Sequence, residues 1–105
     1  MLERPLFYSP LAKQDLDEIF DYIAYELENP FAATETVNAI LDAAESLEGF
    51  PFVGSPAKGL PFSVDEYRFL GAQNYLIFYR VTDSRMFVDR ILYNRRDYLP
   101  LLGLQ

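Results

Sequence analysis

The fold is constrained most by two apolar runs in the last third of the chain, both rich in aromatic and β-branched residues. The first covers residues 74–81 and the second residues 86–93, and a polar segment, Thr-Asp-Ser-Arg at 82–85, separates them. Runs of this composition favour β-strands, and so short a connection favours an antiparallel hairpin. The sequence therefore predicts two long inner strands, and the second carries an Arg-Arg-Asp-Tyr segment, residues 95–98, to its exit.

Composition limits the fold to one domain and excludes several kinds of chemistry. A chain of 105 residues suffices for one core, so residues 1–105 are predicted to form a single domain. It has no cysteine and no histidine, which excludes thiolate nucleophiles, serine–histidine–aspartate triads and the usual zinc sites. We expect neither a metal nor a cofactor. No apolar run reaches the roughly 20 residues of a membrane span, and no secretory signal is visible, so a cytoplasmic protein without membrane contact is predicted.

The negative charge is concentrated in the first half of the chain. Residues 1–49 contain two basic and eleven acidic side chains, whereas residues 50–105 contain seven basic and five acidic ones, and the net charge is −7. Such a balance disfavours broad nucleic-acid binding, which needs a cationic footprint on the phosphates. Contact with an anionic partner is therefore expected through a local basic patch in the second half.

Two helices are predicted in the acidic half. Ser9 precedes Pro10 and Asn29 precedes Pro30, and each pair places a capping side chain before a proline at the first helical position. Apolar residues then recur at spacings of three and four, with most acidic residues, Asp15 included, assigned to the other face. A tightly connected helical hairpin with one buried stripe on each helix is predicted. The stripes comprise Ala12, Leu16, Ile19, Phe20, Ile23 and Leu27, then Val37, Ile40, Leu41, Ala44 and Leu47.

The remaining segments complete an α+β pattern. A short strand is predicted within residues 4–8 and another at 67–70, while residues 49–62, broken by proline and glycine, are predicted to be a connecting loop. The resulting order is β-α-α-β-β-β. A small antiparallel sheet packed by the N-terminal helical hairpin is the simplest architecture, because both apolar stripes then bury against one surface.

Basic residues in and after the strands are the candidate functional residues. A planar guanidinium binds phosphate or carboxylate in a bidentate manner and stays charged, which suits target recognition. Alternatively, these arginines pair with acidic neighbours and only hold the sheet together. The candidate target-binding residues are Arg68, Arg80, Arg90, Arg95, Arg96 and Tyr98, and the acidic neighbours considered are Asp65, Glu66, Asp89 and Asp97.

The last third of the chain also resembles a known family. Tyr75, the Tyr-Arg-Val of residues 79–81, the Arg-Ile-Leu of residues 90–92 and the Arg-Arg-Asp-Tyr of residues 95–98 follow a pattern common in the RelE/ParE superfamily. These are toxins of type II toxin–antitoxin systems, which include plasmid stabilisation proteins. The resemblance extends from about Phe7 to Tyr98 and implies the same β-α-α-β-β-β order.

The resemblance implies one leading function and two alternatives. Leu70 and Leu76 occupy positions where RelE-like nucleases carry cations, and Tyr93 stands where many relatives have a histidine. The sequence is thus more similar to the ParE branch, whose members poison DNA gyrase by protein–protein contact and inhibit growth. One alternative is a RelE-like endonuclease that cuts mRNA on the ribosome. The other is a non-toxic member that only binds an antitoxin. If the chain is a nuclease, the candidate catalytic residues are Arg68, Arg95, Arg96 and Tyr98.

A cognate antitoxin is the partner that this resemblance implies. We expect a helical antitoxin segment with an apolar stripe to dock on the domain, because helices of this kind bind grooves through regularly spaced apolar anchors. The acidic helix face and the leucine-rich residues 99–104 are the candidate contact regions.

Overall fold

A computed structural model describes residues 4–56 and 67–94, and these form a helical hairpin on a five-stranded sheet. Arg95, Arg96, Tyr98 and residues 99–104 lie outside the described residues. The α+β class and the predicted order of the main elements are confirmed. The elements are β1 (Leu6–Tyr8), α1 (Pro10–Asp21), a π-helix (Tyr22–Glu26), α2 (Pro30–Ser46), β2 (Ser55–Pro56), β3 (Tyr67–Ala72), β4 (Tyr75–Val81) and β5 (Met86–Tyr93).

The sheet has the strand order β1-β5-β4-β3-β2 and is mixed. The predicted hairpin of β4 and β5 is present, and all neighbours from β2 to β5 are antiparallel. β1 is the exception, because it lies parallel to β5 with Leu6 opposite Met86. The sheet is therefore not purely antiparallel as predicted. The loop prediction also needs one correction, since Ser55–Pro56 forms a short edge strand beside β3.

Both helices begin at the predicted caps. The Ser9 hydroxyl accepts a hydrogen bond from the Ala12 amide at 2.9 Å, and the Asn29 side chain accepts one from the Ala32 amide at 3.0 Å. These bonds satisfy amides that have no partner within the first turn of a helix. Ser9 also donates its amide to the Val88 carbonyl at 2.9 Å, so the start of α1 is fixed to β5.

The first helix does not continue regularly to its end, as the stripe through Leu27 predicts. From Tyr22 to Glu26 it widens into a π-helix, in which the Leu27 amide bonds to the Tyr22 carbonyl five residues back at 3.1 Å. The wider turn changes the direction in which the following side chains point. Leu27 is therefore 56% exposed instead of buried in the stripe.

The core lies between the helical hairpin and one face of the sheet. The buried residues of both helices pack against every second residue of β4, as the period-two alternation of a strand requires, and against buried residues of β5 on both sides of an irregularity in its pairing. A smaller cluster, made of Leu76, Phe78 and Leu92, lies on the other face. The main core comprises Ala12, Ile19, Ile23, Ala24, Ala33, Ile40, Ala44, Leu47, Ile77, Tyr79, Met86, Val88 and Ile91.

Tyr79 joins the core to the loop that follows α2. Its buried hydroxyl donates to the Pro51 carbonyl at 3.0 Å and accepts from the Gly54 amide at 2.9 Å. Gly54 approaches so closely that a Cβ atom there would lie 2.5 Å from the Tyr79 oxygen and 2.8 Å from the Phe69 carbonyl oxygen. This close approach fixes the loop against β3 and β4.

Candidate interaction surfaces

A cleft of about 690 Å³ opens between the first helical segment and one end of the sheet. Its helical wall comes from α1 and the π-helix, with Thr36 of α2, and its sheet wall comes from the β3–β4 turn and the end of β5. The lining combines apolar side chains with a few charged ones, as is typical of ligand and peptide sites. The lining residues include Asp15, Ile19, Tyr22, Ile23, Leu27, Asn74, Tyr75, Arg90, Ile91 and Tyr93.

An ion pair between α1 and β5 lies in the lining of this cleft. Asp15 accepts hydrogen bonds from Arg90 Nε at 2.8 Å and Nη2 at 2.9 Å, and from the Ile91 amide at 2.9 Å. Asp15 is 6% exposed, so its charge is compensated almost wholly by these donors. The bond to Asp15 raises the pKa of the Arg90 guanidinium, which therefore stays charged. Arg90 is thus part of a structural link between the hairpin and the sheet.

A β-bulge explains why Arg90 reaches the helix. Phe78 lies opposite Arg90 and Tyr79 lies opposite Val88, so Asp89 is an extra residue without a direct partner on β4. A bulge changes the direction of the neighbouring side chains. Arg90 consequently bonds to α1, whereas Asp89 bonds to residues of β3 and β4.

Large apolar side chains are exposed where the π-helix joins the two helices. Tyr22 and Leu27 are each more than half exposed at the rim of the cleft, and Tyr25 and Phe31 are both 72% exposed nearby in sequence. Acidic residues interrupt this sequence, with Asp21, Glu26 and Glu28 all exposed. Apolar side chains with an acidic surround are typical of a protein-binding surface.

Arg68 lies at the other end of the sheet, against the loop that follows α2. Its Nη1 atom donates to the Gly54 carbonyl at 2.8 Å, and its guanidinium carbon lies 5.0 Å from the centre of the Phe52 ring. The guanidinium carbon of Arg4 lies 5.6 Å from the same ring. Two cations therefore stack on one aromatic side chain that is itself 53% exposed.

Arg80 bonds to an acidic neighbour that the sequence analysis considered. Its Nε atom lies 2.6 Å from Asp89 Oδ2, and the Tyr67 hydroxyl donates to the same oxygen at 2.5 Å. Burial, and then the bond to Asp89, raise the pKa of Tyr67 to about 12. Tyr67 is therefore a hydrogen-bond donor at neutral pH and cannot serve as a general base there.

The structure does not bring the described candidates into a single site. Arg68 and Arg80 are on neighbouring strands, but Arg68 contacts the loop on the helical side, whereas Arg80 contacts Asp89 and Phe87 on the other face. Arg90 lies in the cleft beside α1. The candidates Arg95, Arg96 and Tyr98 are outside the described residues. The role of all six residues in target binding stays a prediction.

Sequence reasoning missed Asp15, which it placed on the acidic outer face. A signal was present, because Asp15 stands three residues after Ala12 and four before Ile19, and so at the spacing of the buried stripe. A carboxylate at such a position is stable only with a buried partner. An aspartate at position 15 therefore predicts a cation on the part of the sheet that faces α1.

The described residues contain neither a metal-binding cluster nor a membrane-spanning helix. No group of three or more acidic, cysteine or histidine side chains within residues 4–56 and 67–94 is arranged to hold a metal ion. In the same ranges, no helix is sufficiently long and apolar to span a bilayer.

Comparison with known proteins defines the class. A solved structure described as a chromosomal ParDE TA system from P. aeruginosa has a TM-score of 0.70 and 25% identity, over 87% of this chain and 96% of that chain. Residues 6–98 match the family described as the ParE toxin of the type II toxin–antitoxin system, parDE. No curated protein gives a significant match. The protein is therefore in the class of toxins from type II toxin–antitoxin systems. The chain belongs to the ParE toxin family, as the resemblance of its last third predicted.

Proposed function

We propose that this ParE-family protein is neutralised by a cognate antitoxin in the cytoplasm and that, when free, it inhibits DNA gyrase by protein–protein contact. The observation that carries the proposal is the match of residues 6–98 to the ParE toxin family. The likeness to a ParDE toxin–antitoxin structure supports an antitoxin partner.

The site residues favour this role over mRNA cleavage. Where RelE-like nucleases carry further cations, this chain has Leu70 and Leu76, and Leu76 is buried in the smaller apolar cluster. Tyr93 replaces the histidine of many relatives and packs edge-on against Tyr75, with ring centres 5.6 Å apart. Cleavage of RNA requires cations and titrating groups near the reacting phosphate. Inhibition by protein–protein contact requires only a complementary surface and no such groups.

The cleft beside the π-helix is the proposed docking site of the antitoxin. It offers space for an apolar stripe, and the exposed Tyr22 and Leu27 at its rim can act as anchors. Glu18 in the lining and Asp21 nearby favour a segment that also carries lysine or arginine. An amphipathic helix with basic flanks meets both conditions.

Co-expression with the adjacent small gene tests the partner and the site together. The chain alone should arrest growth. The product of the adjacent gene, the expected antitoxin, should restore growth and co-purify with the chain as a stable complex. Leu27→Asp should weaken the complex at least tenfold in calorimetry, because it places a charge among the anchors. Leu11→Asp is the matched control, since Leu11, on α1, is exposed to a similar degree but does not line the cleft. Equal effects of the two substitutions would show that the cleft is not the docking site. Absence of any complex would show that the product of the adjacent gene is not the antitoxin of this protein.

The proposed target contact includes Arg95 and Arg96 together with Arg68 and Tyr98. Because the net charge of −7 repels an anionic target at long range, contact requires a local basic segment, and the Arg-Arg pair is the densest one in the sequence. The double substitution Arg95→Ala/Arg96→Ala should abolish growth inhibition with little change in melting temperature, because side chains that serve target contact and not packing contribute little to stability. Lys13→Ala, an exposed cation on α1, should remain toxic.

Inhibition of DNA supercoiling by purified gyrase measures directly whether Arg95 and Arg96 are required for the proposed target contact. Wild-type protein should inhibit the reaction, and the double variant should not. Full toxicity of the double variant, or a large loss of its stability, would show that the pair is not the contact surface. Codon-positioned mRNA cleavage in a reconstituted translation system would instead establish the nuclease alternative.

A further inference from the structure

Four side chains form a ladder across the sheet face that is turned away from the helices. Phe7 of β1 lies opposite Phe87 of β5, and Phe87 lies opposite Arg80 of β4. The two phenyl rings stack with centres 5.8 Å apart. The guanidinium carbon of Arg80 lies 4.9 Å from the centre of the Phe87 ring, and that of Arg85 lies 5.9 Å from the Phe7 ring. We call these four residues the arginine–phenylalanine ladder.

The outer part of the ladder is exposed, whereas Arg80 and Phe87 are half-buried and the centre of the same face is buried. Further along the same face, Phe78 and Leu92 are buried, at 1% and 6% exposure. In the ladder, by contrast, Phe7 is 46% exposed, and Arg85 is exposed in the β4–β5 turn. This partly exposed aromatic stack, with a guanidinium over each ring, leaves apolar area in contact with water. Aromatic and arginine side chains together are the composition of binding hot spots.

We propose that the arginine–phenylalanine ladder binds an acidic segment of a protein partner, with a carboxylate on Arg85 and an apolar side chain on the Phe7 ring. This surface is separate from the cleft beside the π-helix, and the proposal does not depend on gyrase being the target. A guanidinium held over an aromatic ring is already oriented, so it loses little entropy when it binds a carboxylate.

The charges around the ladder favour a peptide over a nucleic acid. A nucleic-acid strand needs several phosphate contacts for its affinity, and each contact needs a cation. Here Arg80 is bonded to Asp89, and Asp83 stands in the same turn as Arg85, so a polyphosphate chain would meet negative charge as well. A short peptide with carboxylates beside apolar residues requires fewer cations and also uses the exposed ring.

Nuclear magnetic resonance of the isotopically labelled full chain tests the proposal. The probe is a synthetic peptide, Glu-Glu-Phe-Leu-Glu-Glu, compared with the same peptide carrying glutamine in place of glutamate and with an oligothymidylate. We expect the acidic peptide alone to shift the amide signals of Phe7, Arg85 and Phe87, with an effect that weakens as salt is added.

Charge reversal at two positions separates specific binding from general attraction. Arg85→Glu should raise the Kd for the acidic peptide about tenfold or more. Lys13→Glu makes the same change in net charge on α1 and should alter the Kd less than about twofold. Phe7→Ser should also weaken binding of the acidic peptide. If Phe7→Ser impairs folding, Arg85→Glu still tests the proposal, because Arg85 is an exposed turn residue whose replacement should leave the fold intact.

Several results would overturn the proposal. Equal binding of the glutamine peptide would remove the role of the carboxylates, and equal losses in Arg85→Glu and Lys13→Glu would show attraction without a site. Binding of oligothymidylate in place of the peptide would make the ladder a nucleic-acid surface. Absence of binding by every probe would show that the ladder only closes the edge of the sheet.

Discussion

Replacement of Asp15 by alanine is expected to lower the free energy of unfolding by about 3–5 kcal/mol, as loss of one partner of a buried ion pair does. The carboxylate accepts three hydrogen bonds, two from Arg90 and one from the Ile91 amide. Without it, the guanidinium and the amide remain desolvated and lack that acceptor. Urea denaturation followed by circular dichroism measures the difference.

Two further variants show whether the ion pair causes this loss. Asp17→Ala removes an exposed carboxylate from the same helix and should change stability by no more than about 0.5 kcal/mol. Arg90→Met combined with Asp15→Ala should be less harmful than the sum of the single changes, because no buried charge is then left without a partner. Equal stability of Asp15→Ala and Asp17→Ala would contradict the structural role of the pair.

Ile40→Ala is the second substitution with a large expected effect. Ile40 is fully buried on α2, within the core between the hairpin and the sheet. Truncation of such a side chain removes apolar burial and leaves a cavity, at a cost of about 2–5 kcal/mol. Phe20→Ala should cost less, because Phe20 is only partly buried at the edge of the core. Thermal and urea denaturation of both variants tests this order.

A graded series makes the test of Ile40 specific. Ile40→Val removes one methyl group and should cost about 0.5–1.5 kcal/mol. Asn38→Ala is the control on the same helix, since Asn38 is exposed and its loss leaves no cavity. If Ile40→Ala melts within error of the wild type, the helical hairpin does not supply the core.

Local signals made the helices and the β4–β5 hairpin predictable from the sequence. The side chains of Ser9 and Asn29 bond within one turn of their own positions, so a few consecutive residues contain all the required information. The hairpin is similarly local, with a polar turn between two apolar runs. The parallel pairing of β1 with β5 depends instead on packing between two segments that are far apart in the sequence, which no local pattern records.

The arginines show the same division between near and distant partners. The pairing of Arg80 with Asp89 was among the alternatives considered, because the two residues are close in sequence and lie on one hairpin. Arg90 pairs with Asp15, seventy-five positions away, and Asp15 was not among the acidic neighbours considered. The exposed stack of Phe7 on Phe87 also joins distant segments. Sequence periodicity predicted which residues are buried better than it predicted their partners.

The parallel pairing of β1 with β5 has a consequence for synthesis of the protein. Three features of the N-terminal segment depend on β5: the pairing of Leu6 with Met86, the bond from Ser9 to Val88 and the ion pair of Asp15 with Arg90. A nascent chain that ends before Met86 can form helices but lacks all three partners. Contacts between such distant segments slow folding. The domain therefore acquires its native structure only after β5 has been synthesised.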